Sequence, residues 1–172
     1  MVNLLKSKNA SLIHMYHYAL MPNHLHIQLE PLVAKGVSIF MQKVCASYTR
    51  YFHKKYGSSG HIWQPRFFLG PIETETYFLR CARYIELNPV RAGIADHPRR
   101  YKWSSYNHST MKQPQSWLTT HPLLQNMHRD TQYPNSYELF VEEDIDRARN
   151  HTSETFSATN IYGSETFQKR SQ

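Results

Sequence analysis

Leu12-Ile13-His14-Met15-Tyr16-His17-Tyr18-Ala19-Leu20-Met21-Pro22-Asn23-His24-Leu25-His26-Ile27-Gln28-Leu29-Glu30 is the stretch from which the fold is read. On either side of Met21-Pro22-Asn23, apolar and polar residues alternate closely enough to give two strands, residues 12–20 and 24–30, joined by a tight turn. A β-hairpin results. Side chains on a strand point alternately to its two faces, so His24 and His26 project to one side while Leu25, Ile27 and Leu29 form an apolar underside. Two imidazoles placed side by side can ligate a divalent ion. A chain with 11 histidines also places two at this spacing without purpose, and the spacing alone leaves both readings open.

Working outward, Ser38 opens a helix in which Phe40, Met41, Val44, Tyr48, Tyr51 and Phe52 recur at intervals of three and four, and Gly57 ends it. After a loop over residues 57–63, the apolar run 66–72 reads as a third strand. A helix over residues 74–88 follows, and Pro89 stops it. Tyr84 and Asn88, four apart, share one face of that helix, and Arg80 and Tyr77 continue the face toward the N-terminus. A hydroxyl nucleophile and an amide oxygen ligand could be offered there together. The other use of the same residues is a core tyrosine with an Asn capping the helix before a proline.

The 172 residues suffice for one ordinary domain with a sizeable core, and 40% apolar content lies above the range of disordered chains. No run approaches the roughly 18 apolar residues of a membrane span. Residues 1–11 lack the apolar segment of a secretory signal, so a cytoplasmic protein is expected. Cys45 and Cys81 form no CxxC pair, which leaves neither a disulfide framework nor a thiolate zinc site. Without a phosphate-binding Gly loop, no nucleotide cofactor is expected.

Charge is unevenly placed. Residues 1–110 hold 14 Lys or Arg against five acids, a net of +9, while residues 111–172 hold six against eight, a net of −2. The basic part also carries most of the aromatic residues, which suits a groove that holds phosphates and stacks bases; a solvated basic surface is the plainer alternative. Lys43, Arg50, Lys54, Arg66, Arg80 and Arg83 are the candidate phosphate contacts. Trp63 and Phe67 are candidates for base stacking, with a core role equally open. Beyond Tyr106 the composition turns to Ser, Thr, Asn, Gln and His, with a convincing helical period only over residues 136–149. The division expected is a domain over residues 1–110 and a loosely held extension over 111–172, with a linker or disordered stretch at 150–160.

These blocks together resemble a known family. His24-Leu25-His26, preceded by Tyr18-Ala19-Leu20-Met21-Pro22-Asn23, is similar to the HUH motif (His, hydrophobic, His) of one-tyrosine HUH transposases, in particular the REP-associated tyrosine transposases. The likeness extends through Tyr48-Thr49-Arg50-Tyr51-Phe52, then Gly60-His61-Ile62-Trp63-Gln64-Pro65-Arg66-Phe67. It continues in Arg83-Tyr84-Ile85-Glu86-Leu87-Asn88-Pro89-Val90-Arg91-Ala92-Gly93 and in Trp103-Ser104-Ser105-Tyr106. It covers residues 12–107, with weaker echoes at 137–144 and 161–167.

The resemblance implies an α+β fold, a ferredoxin-like antiparallel sheet with helices packed on it. It implies cleavage and strand transfer of single-stranded DNA at a hairpin-forming repeat, with Tyr84 becoming linked to a 5′ phosphate and Mg²⁺ or Mn²⁺ held by His24, His26 and Asn88. Relatives of this kind begin with a further strand and most of a helix ahead of the HUH hairpin, and residues 2–6 look like the stub of that helix. The expectation is therefore a sheet short of its first strand, in a truncated reading frame, a fragment of a split gene, or a homodimer in which one copy borrows a strand from another. The alternative function on the same scaffold is a catalytically inert remnant that binds single-stranded nucleic acid.

Overall fold

The computed structural model describes residues 1–8, 11–63, 67 and 69–150. In chain order these form α1 (Val2–Lys8), β1 (Ile13–Leu20), β2 (Leu25–Pro31), α2 (Gly36–Tyr56) and α3 (Glu75–Arg91). A single 3₁₀ turn (Pro98–Arg100) precedes α4 (Tyr106–Ser109), α5 (Pro122–Arg129), α6 (Ser136–Glu142) and α7 (Ile145–Asn150). The fold is α+β. The chain divides into two units, Met1–Met15 with Leu29–Phe67, and Tyr16–Gln28 with Phe68–Gln172.

The hairpin forms where the alternation places it. The Met21 N–H donates to the His24 carbonyl (2.9 Å) to close the turn, and the Leu32 N–H donates to the Leu12 carbonyl (3.0 Å) at the open end, which gives an antiparallel pair. From Met15 to Ala19 every residue of β1 is buried, so this strand is covered on both faces. Its second edge is also occupied: the Leu20 N–H donates to the Trp103 carbonyl and the Ser105 N–H to the Tyr18 carbonyl, both at 2.9 Å, around a bridge between Ala19 and Ser104. Among the described residues the sheet has these two strands, not the fuller ferredoxin-like set.

In the first unit, α1 packs on α2, and Leu5, Ile13, Met15, Phe40 and Val44 are buried. The helix expected from Ser38 begins two residues earlier, at Gly36. A Cβ at that position would stand 2.5 Å from the Leu12 carbonyl oxygen, so only glycine allows this approach. Gly57, at φ 60°, ends the helix as the sequence suggests. The third strand expected over residues 66–72 falls partly on residues outside those described. At the described positions 67 and 69–71 there is no strand, and Ile72 makes only an isolated bridge. Pro71 has no N–H to give to a ladder.

In the second unit, the Thr74 side chain caps α3 by accepting from the Tyr77 N–H (3.3 Å). Contrary to expectation Pro89 does not stop this helix, which runs on to Arg91 with the proline inside it. Pro89 cannot donate to the Ile85 carbonyl and its ring crowds that carbonyl, but the helix has only two residues left to run. The turn is then closed by the Ala92 N–H to Asn88 (3.0 Å) and the Gly93 N–H to Val90 (2.9 Å).

The extension is not loosely held either. Leu124, Tyr137, Val141, Ile145 and Ala148 form one core cluster with Tyr16, Phe78, Ala82, Leu87, Val90 and Tyr106, so no boundary falls at residue 110. At the centre of this unit the fully buried Glu86 carboxylate accepts from His17 Nδ1 (3.0 Å), Ser105 Oγ (3.0 Å) and the Tyr137 hydroxyl (2.9 Å). Burial and the Glu86 charge push the Tyr137 phenol far up, so it remains a donor. Three segments distant in sequence are thereby tied to the back of α3. The stretches 150–160 and 161–167 lie, beyond Asn150, outside the described residues.

Both cysteines are free and half-buried, and burial pushes the Cys81 thiol up to about 12. No helix among the described residues is long and apolar enough to cross a membrane.

Candidate active site

The turn and first residues of β2 carry the histidine pair. The His24 and His26 ring centroids lie 4.8 Å apart, with the rings nearly perpendicular. Asn23 Oδ1, 2.7 Å away, can only accept, so His24 Nδ1 carries the proton and Nε2 keeps a lone pair. His26 is half-buried. Burial, the neighbouring His24 and the Arg91 charge push it down to about 4, so it is neutral at neutral pH. Its Nε2 is buried without a hydrogen-bond partner, which is the condition of a nitrogen open to a ligand.

The strand face is set by the residue two further on. Gln28 shares the His26 face and is buried, and its amide donates to the Phe78 carbonyl of α3 (3.1 Å). The histidine side of β2 is thus bound to α3, while Leu25, Ile27 and Leu29 are only half-buried. The expected apolar anchor is a polar one.

On α3, Tyr84, Asn88 and Arg91 follow at intervals of four and three and share one face. The Tyr84 ring centroid lies 5.7 Å from that of His26, edge to face. The Asn88 side-chain nitrogen donates to the Tyr84 carbonyl (2.8 Å), which commits the nitrogen end of the amide to the helix. Arg91 Nη1 donates to the same carbonyl (2.9 Å), and the guanidinium carbon stands 4.8 Å from the Tyr84 ring centroid. Asn88 is not a cap, because the helix continues past it. Arg91 is absent from the residues singled out by sequence. Its i+7 spacing from Tyr84 is a visible signal, but a helix ended at Pro89 removes it from the face.

Lys43, Arg50 and Lys54 are exposed on α2 in the first unit, where Arg50 also donates to Ser47 Oγ (3.4 Å). Trp63, in the same unit, is half-buried with its indole N–H donating to the Cys45 carbonyl (3.2 Å) and Thr49 Oγ1 (3.0 Å). Phe67 is exposed, and Arg66 lies outside the described residues. In the second unit Arg80 is exposed beside the Tyr77 ring. Arg83 is committed elsewhere: it donates to the Phe140 carbonyl (3.2 Å), lies over the Phe140 ring (4.2 Å) and pairs with Asp144 (3.3 Å). These contacts tie α3 to the C-terminal helices.

Among the described residues no cluster of three or more His, Cys, Asp or Glu is placed to hold a metal ion. A divalent ion at this site would therefore rest on uncharged donors, the two imidazoles and the amide oxygen of Asn88. The bare lone pair of His24 and the orphaned, neutral Nε2 of His26 fit that use.

A model of the family described as "Transposase IS200 like" matches residues 2–88, half of the chain, from α1 through the hairpin to Asn88. The match is to that family as a whole and does not single out a REP-associated branch. No curated protein and no solved structure matches the chain.

Proposed function

The chain belongs to the IS200-like transposases, and from that premise we propose that it cuts and rejoins single-stranded DNA at a hairpin-forming repeat through a transient bond between Tyr84 and a 5′ phosphate. The observation that carries this reading is the grouping of a neutral, orphaned imidazole at His26 with the Tyr84 ring and the Arg91 guanidinium.

The Tyr84 phenolic oxygen bonds to the scissile phosphorus as the bond to the 3′ oxygen breaks. The phenol gives up its proton, and the departing 3′ oxygen takes one up. Attack of another 3′ hydroxyl on the phosphotyrosine reverses these changes and frees Tyr84. One phosphodiester is exchanged for another, so no nucleotide is consumed. A free phenol, with a pKa of about 10, is a poor nucleophile at neutral pH and depends on its surroundings for activation. Mg²⁺ or Mn²⁺ on His24, His26 and Asn88 would supply Lewis-acid polarisation of the phosphate oxygens, undiminished by any anionic protein ligand. Arg91 adds a fixed positive charge beside the reacting ring and, with Asn88, holds the Tyr84 backbone.

Labelled single-stranded DNA carrying a hairpin, incubated with the protein and Mn²⁺, should yield a protein–DNA adduct that survives a denaturing gel. Tyr84→Phe, which keeps ring and packing, should abolish the adduct and leave single-strand affinity within about twofold. An adduct in the Phe variant would move the nucleophile elsewhere, with Tyr77 next on the face. Binding without adduct in the unaltered protein would favour the inert binding module.

A further inference from the structure

Among the described residues, the C-terminal half of α2 buries fewer side chains than the first half. Gly36, Phe40 and Val44 are its buried residues, all in the first half. From Cys45 to Tyr56 no side chain is buried, yet this stretch holds Tyr48, Tyr51, Phe52 and Tyr56. Tyr51 and Tyr56 are 51% and 59% exposed.

The rings are ordered among themselves. Phe52 and Tyr56 lie 4.6 Å apart between centroids, and Tyr48 lies 5.4 Å from Trp63, whose indole is pinned to α2 by its two hydrogen bonds. The Lys55 ammonium stands 5.7 Å from the Tyr51 ring centroid and 5.1 Å from that of Tyr56, so cation and aromatic faces are offered together. His53 fixes the following loop through Ser58 Oγ and the Gly60 carbonyl, each at 3.0 Å.

Charge selects the occupant. Between Glu30 and Glu73 the sequence has no acid, while Lys35, Lys43, Arg50, Lys54, Lys55 and Arg66 fall within that interval. Basic residues in the last turn also favour the helix dipole. That accounts for Lys54 and Lys55, but not for rings left in water or for an acid-free run on both sides of the helix. A polyanion with flat apolar faces matches all three features.

We propose that the exposed aromatic and basic face at the C-terminal end of α2 is a docking surface for single-stranded nucleic acid, with Tyr51 and Tyr56 stacking on bases and Lys54 and Lys55 meeting phosphates. It takes its ligand class from the function proposed above and depends on no chemistry at Tyr84.

Fluorescence anisotropy of a labelled thymine oligonucleotide, and of an abasic strand of the same length, tests it on the full chain. Tyr51→Ser with Tyr56→Ser, both at exposed positions, should weaken thymine-strand binding about tenfold or more and abasic-strand binding less than twofold. Lys54→Gln with Lys55→Gln should weaken both strands and lower the salt slope by about 0.7 for each phosphate no longer neutralised. An unchanged thymine-strand affinity in the Ser variant, or equal losses on both strands, would overturn base stacking. A dimer of the unaltered protein in sedimentation that becomes monomeric in the Ser variant would overturn the proposal in favour of a second copy as occupant. Tyr84→Phe separates the two readings, since it should abolish adduct while leaving this binding intact.

Discussion

His108 accepts a hydrogen bond at Nδ1 from the Gln115 N–H (2.9 Å) and is nearly out of contact with water. Burial, then the nearby His17 and His128, push it down to about 4 against an opposing pull from Glu86. An unfolded imidazole titrates near 6.5, so below that pH the unfolded chain takes a proton that folded His108 refuses. Stability present above pH 6.5 is therefore lost as pH falls toward 4, by up to about 3 kcal/mol. Urea midpoints should fall between about pH 7 and 4.5, and His108→Gln should make that fall shallower. An equally steep fall in the variant would assign the acid sensitivity to other groups. The contrast with His26 marks what a sequence can carry at this scale. The His24-Leu25-His26 spacing is local and legible, but the desolvation that keeps His26 neutral, and the arrival of Arg91 beside it, come from contacts across the fold.

α2 shows how one atom governs where an element begins. Because a methyl group at position 36 would meet the Leu12 carbonyl at 2.5 Å, Gly36→Ala must push the start of the helix away from the end of the hairpin. The cost should be about 1–3 kcal/mol, read as a lower midpoint in thermal or urea unfolding. A neutral result would mean that the helix start can move freely. Helix α2 and the hairpin are readable because periods of 3.6 and 2 are written in neighbouring residues, and Gly57 marks the helix stop. The end of α3 is not readable at Pro89, because the cost of the proline is offset by contacts beyond its own segment, among them the burial of Val90 next to it. That continuation brings Arg91 onto the Tyr84 face.

At the scale of the whole chain, the stretch that leads from α3 toward the C-terminal helices is hard to read from sequence because its burial is partly polar. Ser104, Ser105, His108, Ser109 and Thr110 are all buried, and hydrogen bonds rather than hydropathy keep them there. A chain ending at Lys112 would uncover Phe78, Ala82 and Val90 and deprive Glu86 of the Tyr137 hydroxyl. It should lose its cooperative thermal transition in circular dichroism. A truncated chain melting at the temperature of the full one would restore the picture of an appendage. The Glu86 cluster also has a consequence in time. Its donors lie 69 residues before the carboxylate and 51 after it. At translation rates of roughly 5–20 residues per second, His17 waits about 3–14 s for Glu86, and Glu86 a further 3–10 s or so for Tyr137. Tyr84 and both imidazoles have left the synthesis site by then, so each new molecule holds the parts of its site for seconds before it owns the clamp that fixes their helix.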